Sequence, residues 1–251
     1  MDLLENERID DLELKGLKII QNKDGFCFGI DAVLLSDFCK DMKNNSLVID
    51  LGTGTGILPI LISGKTKASM IYGIEIQEEV ADMANRSVVL NKLEEKIKII
   101  NTDIKNLTNQ FKAQTFDVVV TNPPYMNVET GFKNNNNKKE ISRHEIKANL
   151  DDFIKVSNYL LKDKGTLYMI HRSERLAEII ATLKEYKIEP KVLRFIYSNI
   201  KGESKLVLIK AIKSGNSGLK VDKPLIIYNN DSNYTNEILE IYNKNGDKNE
   251  E

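Results

Sequence analysis

The chain has 251 residues, 41% of them apolar, enough for one sizeable core with a small appendage. No apolar run is long enough to cross a bilayer, and the acidic, polar start MDLLENERIDD is unlike a signal or transit peptide. A net charge of −1 gives no global positive field to draw the protein to nucleic acid, and Cys27 and Cys39 show no metal spacing, so no metal and free thiols in a reducing cytoplasm are expected.

In chain order, SLVIDL (46–51) reads as a buried strand that ends in the glycine-rich GTGTG, and ILPILIS follows as a short helix with Gly64 at its C-terminal end. SMIYGIEI (69–76) is the next strand. Val80, Ala84 and Val88 recur at helical spacing in the helix after it. KIKII (96–100) and FDVVVT (116–121) are strands three and four. Leu150, Phe153, Ile154, Ser157, Leu160 and Leu161 line one face of a helix that closes at Gly165, and TLYMI (166–170) is strand five. Ser173 is placed to cap a helix whose stripe is Leu176, Ile179, Ile180 and Leu183. KVLRFIY and SKLVLIKAI then join directly as two strands.

Alternating strands and helices predict a Rossmann-like α/β fold. The sheet is expected to be seven-stranded and mostly parallel, with helices on both faces and one antiparallel strand near an edge. Residues 126–147 form a long polar loop with four consecutive asparagines. The expected division is an N-terminal segment over 1–45, a main domain over 46–213, and a linker with a small strand–helix extension over 214–251.

Open α/β sheets bind ligands at the carboxyl ends of their strands, where two motifs fall. The first is Asp50-Leu51-Gly52-Thr53-Gly54-Thr55-Gly56. Its glycines allow close backbone approach and positive φ, but position 57 is isoleucine where a dinucleotide fingerprint has its third glycine. Glu75, closing the second strand, can accept from both hydroxyls of a ribose, and Asp103 can accept from an adenine amino group. These features fit a nucleoside ligand without a pyrophosphate. The second motif, Asn122-Pro123-Pro124-Tyr125, ends a strand in a rigid corner, because proline lacks an amide donor and fixes φ.

In this order and spacing, DLGTGTG, the Glu75 strand end, Asp103 and NPPY resemble the class I S-adenosylmethionine-dependent methyltransferases over roughly residues 15–213. NPPY is similar to the motif of those that methylate a planar NH₂ group on adenine or on a glutamine side chain. The resemblance implies S-adenosylmethionine as cofactor, bound by Asp50, Gly52, Thr53, Gly54, Gly56, Glu75, Asp103 and Asn122. It implies catalytic roles for Asn122, Pro123 and Tyr125. The Asn122 side-chain oxygen and the Pro123 carbonyl would accept the two N–H groups of the amine, and Tyr125 would stack on the base.

Upstream, GFCFGIDAVLLSDF (25–38) resembles a subgroup in which this segment covers the methionine end of the cofactor, which nominates Phe28 and Asp31; the alternative for Asp31 is a helix cap. Gln21, FGIDAVLL, NPPY, Ser142-Arg143-His144 and HRSERL (171–176) together resemble the bacterial valine-tRNA adenine-N6 methyltransferases, which modify nucleotide 37 beside the anticodon. That likeness implies a cytoplasmic, monomeric enzyme acting on the anticodon loop of tRNA. Pro124, Tyr125, Arg143, His144, His171 and Arg172 are its substrate contacts, and the Lys/Arg run from Lys184 to Lys220 is a further phosphate-binding candidate. Two alternatives stay open at this point: a glutamine-N5 methyltransferase of the release-factor type, and a non-catalytic RNA-binding module that keeps the fold.

Overall fold

The computed structural model describes residues 3–23, 29–125 and 148–242. Strands β1 (Glu7–Asp11) and β2 (Lys18–Asn22) form an antiparallel hairpin, an element with no clear sequence signal, and helix α1 (Ile30–Phe38) follows. Then come β3 (Leu47–Leu51), α2 (Ile57–Lys65), β4 (Met70–Glu75), α3 (Glu78–Leu90), β5 (Ile97–Asn101), the short α4 (Leu107–Gln110) and β6 (Phe116–Thr121). The second half comprises α5 (Leu150–Leu160), β7 (Leu161–Arg172), α6 (Leu176–Glu185), β8 (Ile188–Tyr197), β9 (Ser204–Lys213), β10 (Lys220–Val221), β11 (Leu225–Ile226) and α7 (Asn236–Ile241).

The main sheet runs β10–β8–β9–β7–β6–β3–β4–β5, with β11 also on β8. All its pairings are parallel except those of β9, which lies antiparallel between β7 and β8. The expected count of seven strands becomes nine, because the two-residue strands β10 and β11 of the C-terminal extension add to the β8 edge. The central strands are apolar on both faces, as a sheet covered on both sides requires. One cluster packs Val48, Ile71 and Val120 with α1 and α2; the other packs Ile49, Val119 and Leu167 with α5 and α6.

Three local expectations change. Gly64 lies inside the last turn of α2, where a Cβ would come within 2.8 Å of Leu17 and 3.0 Å of Leu14; its role is to admit the N-terminal segment. Helix α5 ends at Leu160, and Gly165 falls in β7, where a register shift takes the pairing from Phe116↔Leu161 to Val118↔Thr166. Ser173 caps no helix, since its hydroxyl donates to the Ser204 carbonyl of β9. The helix that does have a strong cap is α5, where Asn149 and Asp152 exchange side-chain-to-backbone hydrogen bonds at 2.9 and 3.0 Å.

The N-terminal hairpin is tied to α3. Arg86 grips the buried Glu7 in a fork, Nη1 to Oε2 at 2.7 Å and Nη2 to Oε1 at 2.5 Å, which holds that carboxyl below its usual range. Asn91 and Ser87 add hydrogen bonds to the backbone of Lys18 and Ile20.

Candidate active site

The carboxyl ends of β3, β4, β5 and β6 lie side by side. The turn after β3 takes positive φ at Gly52 (77°), Gly54 (56°) and Gly56 (85°), values that side chains rarely adopt. Its start is anchored on β4, with the Gly52 and Thr53 amides donating to the Ile74 carbonyl at 3.0 and 2.8 Å. Gly56 opens α2, and a Cβ there would stand 3.2 Å from that of Ala84. Glu75, nearly buried, accepts from the Gly54 amide at 3.0 Å and from the Gln77 amide at 2.9 Å. One carboxylate therefore fixes both the turn and the start of α3, and each oxygen keeps a lone pair for a ligand hydroxyl.

Gly73 is a residue that sequence reasoning missed. A Cβ at this position would come within 2.9 Å of the Thr53 hydroxyl and 2.8 Å of Ile99 Cδ1. The glycine is the space into which Thr53 folds. Its signal, a lone glycine inside a strand, was present in SMIYGIEI.

Asp50 is fully buried, and neither carboxylate oxygen has a hydrogen-bond partner among the described residues. Burial pushes its carboxyl up to about 7; the nearby Thr53 hydroxyl, short of hydrogen-bond geometry, pulls it down, and the charge of Glu75 raises it again. Such a carboxyl lacks a cationic or N–H partner. The half-buried Asp103 accepts from the Lys105 amide at 2.9 Å and so starts a helical turn at the end of β5.

The NPPY corner is locked to the glycine turn by register. Thr121 pairs with Leu51, and the Thr121 hydroxyl donates to the Leu51 carbonyl at 2.9 Å. Asn122 and Gly52 are the next residues on these two adjacent strands. Asn122 is half-buried, Pro123 buried and Pro124 exposed. The hydroxyl of the half-buried Tyr125 lies 2.6 Å from Asp31 Oδ2 and 2.8 Å from Asn122 Oδ1, with one proton for both acceptors. Burial first, then the charge of Asp31, pushes its pKa far up, so it stays protonated.

Gly29, not Asp31, is the N-cap of α1. His171 is a correction. It is expected at the substrate surface, but it is 0% exposed beneath Tyr125, with ring centroids 5.2 Å apart. Its Nδ1 accepts the Arg172 amide at 2.8 Å, and Nε2 has no partner among the described residues. Burial, with Arg175 second, lowers its pKa to about 4, so it is a neutral floor rather than a phosphate contact. Arg172 stays exposed, its guanidinium 5.3 Å from the centre of the Tyr125 ring.

Phe28, Arg143 and His144 lie outside the described residues, as does Cys27; Cys39 is a buried free thiol. The basic run at 184–220 is not one free face. Lys184 pairs with Glu189, Arg194 with Glu237, and Lys220 with Asp222, while Lys191 and Lys213 donate to backbone carbonyls. Among the described residues, no group of three or more His, Cys, Asp or Glu could hold a metal, and no helix is long and apolar enough to cross a membrane.

A family model described as Eco57I restriction-modification methylase matches residues 69–203. The chain is 22% identical over 229 residues to a tRNA1(Val) (adenine(37)-N6)-methyltransferase of Flavobacterium johnsoniae, an alignment covering 91% of this chain and 96% of the relative. Among solved structures, a predicted O-methyltransferase from Agrobacterium tumefaciens superposes with a TM-score of 0.68 at 22% identity, covering 85% of this chain and 96% of that one. The M. jannaschii TYW2 structure in complex with AdoMet superposes with a TM-score of 0.57 at 14% identity, covering 84% and 88%. Both structures share the fold described above.

Proposed function

We propose that this chain, which belongs to the Eco57I restriction-modification methylase family, transfers a methyl group to the N6 amino group of an adenine in tRNA. The chain is a methyltransferase and S-adenosylmethionine is its cofactor. The finer reading is adenine 37 in the anticodon loop of a valine tRNA, modified by a cytoplasmic monomer.

The residues present fit that cofactor. Asp50 is a buried carboxyl in want of a cationic partner, and Glu75 has lone pairs to spare for ribose hydroxyls. The positive-φ glycines keep side chains away from the turn. Asp103, at the next strand end, would accept from the adenine amino group, and residues 1–45, with Phe28, would cover the methionine end. When bound, the cofactor supplies a methyl group on a positively charged sulfur.

The rest of the work falls to the NPPY corner. An exocyclic amine has its lone pair delocalised into the ring and is a poor nucleophile. Asn122 Oδ1 and the Pro123 carbonyl would accept its two hydrogens and turn that lone pair toward the methyl group, while Tyr125 stacks on a base turned out of its loop. Acceptors on a proline corner are in place before the substrate arrives. Arg172 would contact a phosphate and the exposed Pro124 the substrate, and the resemblance gives Arg143 and His144 the same part. The proton can leave the product amine after transfer, so no general base is required.

The observation that carries this reading is the Thr121–Leu51 hydrogen bond, which sets Asn122 beside Gly52. The test is incubation with labelled S-adenosylmethionine and total RNA from a strain lacking the gene, followed by nucleoside digestion. Labelled N6-methyladenosine in valine tRNA is the expected product. Absence of label from the RNA, with label in protein glutamine when a protein extract of the same strain is added instead, overturns the proposal. Binding of tRNA is expected to weaken steeply with added salt, and a flat response in a filter-binding titration would remove phosphate contacts from the account.

A further inference from the structure

We propose that Asp31 is a positioning residue of the acceptor site: its carboxylate draws the Tyr125 hydroxyl proton away from Asn122, leaving the amide oxygen free for the incoming amine. This rests on the amine-acceptor role given to Asn122 above.

The geometry is specific. Tyr125 Oη stands between two acceptors, Asp31 Oδ2 at 2.6 Å and Asn122 Oδ1 at 2.8 Å, and has one hydrogen to give. A carboxylate forms the shorter and stronger bond, so the hydroxyl points its hydrogen mainly at Asp31. Burial and the neighbouring charge keep the phenol protonated, so it remains a donor throughout. Without Asp31, the only described acceptor left for that proton is Asn122 Oδ1. A proton directed there withdraws electron density from the atom that must receive the amine. Asp31 belongs to the first turn of α1, in the segment before the glycine turn, so it also ties that segment to the acceptor corner.

This differs from assigning Asp31 to the cofactor, and a double-mutant cycle separates the two. Asp31→Ala is expected to lower single-turnover methylation of tRNA about tenfold while cofactor affinity, measured by calorimetry, stays within about twofold of wild type. Asp31→Asn, which keeps an acceptor oxygen, restores part of the rate. Tyr125→Phe lowers the rate by about threefold, and adding Asp31→Ala to it costs little more, because the hydroxyl through which Asp31 acts is gone.

The same cycle is read without any substrate in the thermal unfolding midpoints of the cofactor-free protein, where the two single losses are expected not to sum. Additive losses in both rate and midpoint, or weaker cofactor binding by Asp31→Ala in both backgrounds, would overturn the proposal. If wild type methylates no RNA, the functional reading falls while the midpoint cycle still decides whether Asp31 and Tyr125 act as a pair.

Discussion

The two halves of the site are built by different means. At the ends of β3 and β4, backbone amides do most of the holding: Gly52 and Thr53 hang from Ile74, and Gly54 and Gln77 converge on Glu75. At the ends of β6 and β7, side chains hold side chains: Tyr125 lies among Asp31, Asn122, His171 and Arg172, and one buried imidazole nitrogen has no described partner. A backbone-built cradle is fixed once the sheet forms. A side-chain cluster exchanges partners at low cost, which suits the half that must admit a base and release it again. On the proposed function, the cofactor half is therefore prefabricated and the acceptor half adjustable.

The largest expected effect breaks the acceptor half alone. Asn122→Ala should lower kcat by roughly 10²–10³, the loss of one preorganised transition-state contact, while calorimetric cofactor affinity stays near wild type. Glu75→Ala should do the reverse, weakening cofactor binding by about 10- to 100-fold, since it removes hydrogen bonds to a charged group as well as a brace of the turn. Gly73→Ala attacks the same half through packing. With Ile99 and Thr53 within 3.0 Å of the new Cβ, a stability loss of about 1–3 kcal/mol in urea unfolding is expected, together with weaker cofactor binding.

The smallest effect is a pH slope that the halves conceal from one another. His171 protonates at about 4 in the folded chain against 6.5 ordinarily, so between these values the unfolded chain binds more protons and stability rises with pH. Asp50, raised from 3.8 to about 7, works the other way, and its contribution fades as pH rises through that interval. Wild type should be nearly flat between pH 4 and 6.5. Asp50→Asn should uncover the rising slope and His171→Gln the falling one, both measurable as unfolding midpoints against pH.

Much of the cofactor half was legible because backbone geometry writes itself into sequence. Positive φ calls for glycine at 52, 54 and 56, and Glu75 closes its strand where the sequence set it. NPPY was legible for the same reason, its prolines naming a corner. What side chains do to one another across long separations was not legible. Asp31 and Tyr125 lie in segments separated by four strands and three helices, and no local pattern couples them. His171 was expected among the substrate contacts because HRSERL belongs to the resemblance; its place at the end of a buried β7 decided otherwise. The N-terminal hairpin escaped because its anchor, Glu7 to Arg86, is a tertiary contact. The short strand β10 carries almost no periodicity to find, whereas β11 and the helix after it fall in the strand–helix extension expected over 214–251.

Strand β9 has a consequence for how this molecule is made. It is the last long strand to leave the ribosome, yet it stands between β7 and β8. Until residues 204–213 emerge, the outer margin of β7 is a bare ladder of unpaired amides and carbonyls, and β8 has nowhere to dock. A nascent chain thus carries a sticky seam from the completion of β7 until β9 joins it, and a message cut short before codon 204 is expected to yield aggregate rather than a smaller enzyme. Protease protection of stalled chains should accordingly arrive in one late step, once residue 213 has cleared the exit tunnel.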